Sequence, residues 1–374
     1  MVNHHQFWWR FFPKKELTQI YFSVALRSFA ISLISIFIPL YLFQEKGLSF
    51  EQTLLFFIFY SVVFAVTMPL AAKFASRFGI KHSIMVGVPL YLLFVVLMYY
   101  SSTAVMQLLL TSASLGASQA FYWMGMHLAF YHASHRKHRG EEVGIRSGVT
   151  VLSTIIGPFL GGLVITFIGF KAVFGMTAFL LFASVLILLL NGDGYAPYHF
   201  SMKTVFDKKY WKDSLFFVSR GSQVIVQGVI WPLFIFFILK SYLSIGVVGS
   251  LMSLSSAILF WGVGRYSDHS DKRKIMRWGS VLESGMLMIM GLVKTVPQVF
   301  AVTIASSLVG AIRESPTGAL EYDKAKGQVA AYFVNREIFI CLGRILALSI
   351  VLATSNLAHG MFFQAFANFA AFLF

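Results

Sequence analysis

The chain has 374 residues, 57% of them hydrophobic and only 12% charged, with a formal net charge of +15. A soluble globule carries about one quarter charged residues, so this composition excludes one and places the chain in lipid. The single cysteine, Cys341, excludes an intramolecular disulfide framework.

The first sixteen residues, MVNHHQFWWRFFPKKE, lack the continuous apolar core of a cleavable signal peptide, so the span that follows is expected to be retained. Segments of the roughly 20 apolar residues a bilayer requires recur at 17–43, 50–72, 83–101, 104–132, 143–168, 172–190, 214–239, 245–264, 276–293, 297–318, 328–354 and 359–374. The predicted fold class is an all-α polytopic membrane protein with twelve transmembrane helices. With the N-terminus inside, twenty of the thirty Lys and Arg fall in the cytoplasmic connections and four in the outer ones. This is the positive-inside asymmetry. It explains the basic charge without nucleic acid, and it predicts a multi-pass protein of the cytoplasmic (inner) membrane with both termini inside.

Outer connections such as QEKGLS and KSYLS are short, which makes neighbouring helices antiparallel hairpins. The longest connection, residues 191–213, opens with helix-breaking Gly and Pro and divides the chain near its middle. The expected organisation is a cytoplasmic segment 1–16, a six-helix bundle 17–190, a cytoplasmic linker 191–213 and a second bundle 214–374. The last span ends at Phe374 with no polar tail, so the natural chain is expected to continue. The two bundles read as copies: Arg27 precedes Pro39 by twelve residues, Arg220 precedes Pro232 by twelve, and an apolar run follows each proline.

The connection after the eighth span reads GVGRYSDHSDKRKIM, with Gly264, Asp268, Lys272, Arg273 and Lys274 in a Gly, Asp, basic-cluster order. This resembles the cytoplasmic loop signature of the major facilitator superfamily. The connection after the second span is a weaker copy, with Arg77, Gly79 and Lys81 present but Ala72 and Ser76 in place of the Gly and Asp. The resemblance implies a charged latch on the cytoplasmic side, weakened in the first half; simple topological anchoring is the plainer reading. The fifth span carries Gly144 and then Gly157, Pro158, Gly161 and Gly162, similar to the family's Gly-Pro-x-x-Gly-Gly antiporter motif, with Ser153 where a further Gly stands. Physically this means a kinked helix that admits a close neighbour, with or without antiport.

In this family helices one, four, seven and ten are taken to line a central cavity. Arg27 and Arg220 lie on the first and seventh, and an arginine at mid-membrane costs about 2.5–3.5 kcal/mol, so each should face a partner or a wet space. Arg220, Gln223, Gln227 and Trp231 make one polar stripe at helical spacing; Ser28, Ser32 and Ser35 flank Arg27. The fourth span offers Gln119, Trp123 and His127, and the tenth Arg313, Glu314 and Thr317 beside Pro316. Two symmetry-related guanidinium groups suit a phosphate, phosphonate or carboxylate, and the pairing resembles that of organophosphate antiporters of the superfamily. Both arginines capping carbonyls or pairing with acids is the competing interpretation.

Beyond Glu51, at the very start of the second span, no Asp or Glu lies in the first six spans, and Ser112 stands where drug/proton antiporters of the family carry Arg, which counts against that class. The coupling candidates are Glu283, Glu314 and Glu337, with Arg344 placed to pair with Glu337 across two helical turns; Glu321 is expected at the cytoplasmic end. His132, His135 and His138 read as part of a basic loop, so no metal is expected, and without a phosphate-binding loop neither an enzyme nor a cofactor is. The sequence therefore predicts a monomeric secondary transporter whose partners are a small-molecule substrate, the bilayer and a coupling proton or counter-anion. Its foremost reading is an organic-anion carrier using Arg27 and Arg220. Proton-coupled efflux of amphipathic compounds and a non-transporting receptor or assembly factor are the alternatives.

Overall fold

The computed structural model describes residues 15–100, 102–133, 148–189, 198, 200–267, 270–325 and 327–374. Every long element is a helix, as lipid demands of a chain that must bond its own backbone. They are α1 (Lys15–Ser32), α2 (Phe50–Phe78), α3 (Ile80–Tyr100), α4 (Val105–Ala133), α5 (Gly157–Phe167), α6 (Phe170–Leu189), α7 (Trp211–Ile225), α8 (Tyr242–Ser267), α9 (Lys272–Met290), α10 (Val296–Lys324), α11 (Val329–Thr354) and α12 (Leu357–Ala367). Nine described helices are long and apolar enough to cross a membrane; α4, α9 and α12 complete twelve.

The two halves pack alike. In the first, α3 lies against α4 and α2 against α4; in the second, α9 lies against α10 and α8 against α10. The halves join mainly along α2 with α11 and α5 with α8. We call the end with connections 45–50, 167–170 and 239–242 the hairpin end, and the other, where the 198–210 segment runs, the linker end. At the linker end Tyr198 donates to the carbonyl of Ala72 on α2, and Asn335 on α11 donates to that of Val205, so the segment is tied to both halves.

The prolines at equivalent places act as expected of a residue without an N–H. α1 stops at Ser32 and continues through a 3-10 turn (Ser35–Phe37), a short helix (Ile38–Leu40) and a π turn (Tyr41–Glu45), with Pro39 at the start of the short helix. α7 stops at Ile225 and continues through a π turn (Val226–Ile230) into Trp231–Leu239, with Pro232 in its first turn. The first span is therefore interrupted at Leu33 and Ile34, while the seventh carries a π bulge within one continuous helix.

Glycines set the closest approaches. A Cβ on Gly161 would stand 2.0 Å from the carbonyl oxygen of Leu33, at the break after α1, and one on Gly246 of α8 would stand 2.5 Å from that of Pro158. The Gly-Pro-x-x-Gly-Gly stretch thus presses one face on α1 and the other on α8 of the opposite half. The chain bends at Ile155 and Ile156, just before it.

Candidate functional site

The apolar core is split into blocks, and polar residues occupy the gap. On α1, Ile20, Tyr21 and Val24 belong to the linker-end core and Ala30 onward to the hairpin-end core, with Arg27 between. Arg220 and Gln223 on α7, Glu283 on α9, Arg313 and Glu314 on α10 and Arg344 on α11 lie in the same gap. Burying these groups requires partners.

Most of the partners are ion pairs inside the second half. Arg313, completely buried, donates to Glu283 at 2.6 Å, to Asn368 at 2.6 Å and to Ser219 at 3.2 Å. Gln223 donates to the other oxygen of Glu283 at 2.8 Å and accepts from Arg220 at 2.9 Å. Arg220 grips Glu314 with both terminal nitrogens, one of them at 2.6 Å, and its Nε lies 3.7 Å from Glu321. Arg336 bonds Glu321 at 2.8 Å and also Glu337. Glu337 faces His127 of the first half at 3.4 Å, and the other ring nitrogen of His127 lies 2.9 Å from the Tyr322 hydroxyl. Three arginines therefore share four glutamates in one connected chain of charges.

Two arginines stand apart from that chain. Arg27 lays its guanidinium over Tyr122, 3.3 Å from the ring centroid, with Trp123 at 5.9 Å. Arg344 donates to the Tyr60 hydroxyl at 3.0 Å and lies over the Tyr60 and Phe64 rings. Among the described residues neither has a carboxylate within ion-pair distance.

Several sequence expectations change accordingly. Arg220 does not mirror Arg27 as an open cation, because Glu314 already neutralises it. Glu337 and Arg344 do not pair: Arg336 and His127 take the carboxylate, while Arg344 turns to Tyr60 on α2. The α7 stripe breaks at the π turn, which leaves Gln227 exposed and buries Trp231 against Phe234. Ser32 bonds its own helix and Gln119 accepts from Trp123 at 3.1 Å. Glu321 sits near the linker end of α10 yet is only 3% exposed.

Of the loop residues, Arg77 is exposed and Lys81 buried, with Gly79 at φ 108°, a backbone that favours glycine. Lys272, Arg273 and Lys274 open α9, and Gly264 falls in α8. Asp268, Gly144, His135 and His138 lie outside the described residues. The acid that caps α9 is Asp271, which accepts from the backbone of Arg273 at 2.9 Å and of Lys274 at 3.4 Å. Among the described residues no His, Cys, Asp and Glu cluster could hold a metal. A surface pocket of about 430 Å³, bounded by Tyr41, Lys46, Lys171 and Tyr242, opens at the hairpin end, away from the buried charges.

Sequence reasoning missed Arg336, Tyr60, Tyr322 and Asn368. The adjacent Arg336 and Glu337 in an otherwise apolar span were the available signal; nothing in the sequence marks the two tyrosines.

A family model, the Major Facilitator Superfamily, matches residues 20–219, more than half of the chain. The chain belongs to the major facilitator superfamily. It is 21% identical over 345 residues to an uncharacterized protein, YqgE, of Bacillus subtilis (86% of this chain, 79% of the relative). It is 25% identical over 328 residues to the multidrug resistance protein MdtG of Proteus mirabilis (82% and 80%). Among solved structures, this superfamily member resembles a single-substitution variant of the fucose:proton symporter FucP of E. coli, with a TM-score of 0.68 at 13% identity over 95% of this chain and 96% of that one. A structure of FucP in the outward conformation gives 0.69 at 14% identity over 96% and 98%. These likenesses establish a twelve-helix superfamily fold in two pseudo-symmetric bundles.

Proposed function

We propose that this protein is a proton-coupled secondary transporter of a small organic solute, working by alternating access between bundles 17–190 and 214–374. One observation carries the reading: three arginines share four glutamates in a chain that ends on the other bundle. Glu337 shares Arg336 with Glu321 and turns its remaining contact to His127. A proton on that His–Glu contact is the coupling proton of this reading, because His127 belongs to the other bundle and the proton sets the charge of the contact between the halves. Rocking of the two bundles about a central site is the movement such an interface allows. The excess of basic residues in the linker-end connections supports an orientation with that end in the cytoplasm.

A specific observation favours a second reading, export of amphipathic compounds. The Proteus mirabilis relative is named a multidrug resistance protein, and aromatic residues surround the charges. The assay that tests the proposal is flux into proteoliposomes of labelled naphthalenesulfonate, its neutral sulfonamide and naphthyltrimethylammonium, with and without an imposed pH gradient. The expected result is gradient-driven accumulation of at least one probe. Glu337→Gln should abolish that accumulation while exchange at equal concentrations persists. Flux indifferent to the gradient would sink the coupling, and no flux for any solute would leave the receptor or assembly-factor reading.

A further inference from the structure

The expectation that Arg27 and Arg220 jointly hold an anion meets a difficulty in the geometry. Arg220 is gripped bidentately by Glu314 and bonded to Gln223, so an incoming anion would have to displace a carboxylate already in the best arrangement a guanidinium offers. Arg27 and Arg344 have no such occupant. They come from opposite bundles, on α1 and α11, and each is held by a tyrosine of the first bundle. Arg344 bonds the hydroxyl of Tyr60 on α2, and Arg27 lies over Tyr122 on α4, the helix packed against α2.

Each arginine is also prepared for an anion. Arg27 has its guanidinium over the Tyr122 ring, and no side-chain hydrogen bond or ion pair ties it to an acceptor among the described residues. Arg344 is 6% exposed, and its Nε, like those of Arg220 and Arg313, is buried without a hydrogen-bond partner; unlike theirs, its terminal nitrogens hold no carboxylate among the described residues. A buried donor left unmade costs free energy that a ligand oxygen would recover. Glu337 lies within electrostatic reach of Arg344, but its bonds go to Arg336 and His127.

The surroundings restrict the rest of the ligand. Trp123, His127 and Phe333 form a continuous stack, with centroid distances of 5.6 and 4.2 Å and interplanar angles of 28° and 2°. It starts beside Arg27 and crosses from α4 to α11. His127 and Phe333 are buried and cover each other, so Trp123, half-buried at the Arg27 end, is the ring of the stack open to an apolar body.

We infer that Arg27 and Arg344 clamp the anionic group of the transported solute, an organic carboxylate, sulfonate or phosphonate whose apolar body lies against Trp123 at the Arg27 end of that stack. The inference rests on the transporter reading of the same site and names its substrate class. A clamp with one arm in each bundle also links occupancy to closure, because only a bound anion lets two like charges draw together.

The test is equilibrium binding of naphthalenesulfonate to the purified full chain in nanodiscs, by calorimetric titration at one pH, beside the neutral sulfonamide and naphthyltrimethylammonium. The sulfonate should bind best. Arg27→Gln and Arg344→Gln should each weaken it about 30-fold or more, while sulfonamide affinity barely changes. Arg344→Lys, which keeps the charge but loses the fork, should fall between; should Arg344→Gln fail to fold, this variant and Arg27→Gln decide. Unchanged sulfonate affinity in these variants overturns the clamp, as does an equal loss for the sulfonamide or tighter binding of the cation. Binding here needs no gradient, so the clamp and the proton coupling fail independently. Arginine-dependent binding with gradient-indifferent flux removes only the coupling; gradient-driven flux without arginine dependence removes only the clamp.

Discussion

His127 on α4 and Glu337 on α11 meet across the boundary between the two halves, Nε2 to Oε1 at 3.4 Å, while the imidazole lies parallel to the Phe333 ring at 4.2 Å. The contact is polar at the ring edge and apolar on its face, so the two contributions can be separated by substitution. His127→Phe keeps the stack and removes the bonds to Glu337 and Tyr322. Losing a buried hydrogen bond to a charged group costs about 1.5–3 kcal/mol, and here the loss falls on the joined state of the halves alone. The expected outcome is a fraction of open molecules raised about tenfold or more. Cys341, the only cysteine and completely buried beside this contact, reports it. Its labelling rate with a small maleimide should rise by a similar factor, and an unchanged rate would show that the contact does not hold the halves together.

The crossing of α7 and α11, the helices that carry three of the five arginines, is tighter than any side chain permits. A Cβ on Gly343 would stand 1.9 Å from the carbonyl oxygen of Val218, and one on Gly221 would stand 1.8 Å from that of Ile340. Both obstacles are backbone, which cannot swing aside. Overpacking of this kind costs about 1–3 kcal/mol and at times more. Gly343→Ala and Gly221→Ala should each lower the thermal midpoint of the detergent-solubilised protein by several degrees. Gly285→Ala, with open space around it, should stabilise the protein or leave it unchanged. Equal midpoints for all three variants would remove the crossing from the account of the fold.

These two cases show what was legible in the sequence. Apolar runs of bilayer length give the spans, because the requirement for lipid-facing surface acts on each segment separately. The repeated Arg-to-Pro spacing marks the two irregular spans, although proline alone does not, since Pro69, Pro89 and Pro316 lie inside unbroken helices. Partners are another matter. Arg344 has Glu337 two turns away on its own helix and bonds Tyr60, 284 positions earlier in the chain. Arg220 takes Glu314 from α10, at a separation of 94. A buried charge is satisfied by whichever helix packs against it, and no spacing along one helix records which that is. Asp271 was passed over for a simpler reason: Asp268 fits the loop pattern, whereas a helix cap is fixed by where the helix begins.

The cluster around Arg313 predicts a stability effect without a coupling effect. Arg313 and Glu283 are almost wholly buried, and Asn368, Ser219 and Gln223 bond to one or the other. Removing one member of such a pair leaves an uncompensated charge, at about 3–5 kcal/mol. Arg313→Met should therefore unfold at markedly lower temperature. The double variant Arg313→Met with Glu283→Gln should recover much of the loss, because no charge is then stranded. Glu283→Gln, if it folds, should retain its response to a pH gradient. Loss of that response in a variant of normal stability would move the proton site from Glu337 to Glu283.

Glu314 offers the sharpest contrast between the two arginine pairs. Its side chain is 37% exposed although Arg220, its partner, is 9% exposed, so the pair presents its carboxylate outward and hides its guanidinium. Glu314→Gln leaves Arg220 with Gln223 and the more distant Glu321, which limits the stability loss to about 1–3 kcal/mol. It also adds a positive charge facing the same gap as Arg27 and Arg344. If those two clamp the anion while Glu314 keeps Arg220 out of use, the substitution should tighten naphthalenesulfonate binding, and Arg27→Gln should still abolish most of it in the Glu314→Gln background. If Arg220 is instead the principal anion ligand, Glu314→Gln should make Arg27 and Arg344 dispensable. Titrating the single and double variants with one probe separates the two assignments, and the non-additivity of the pair gives the coupling directly.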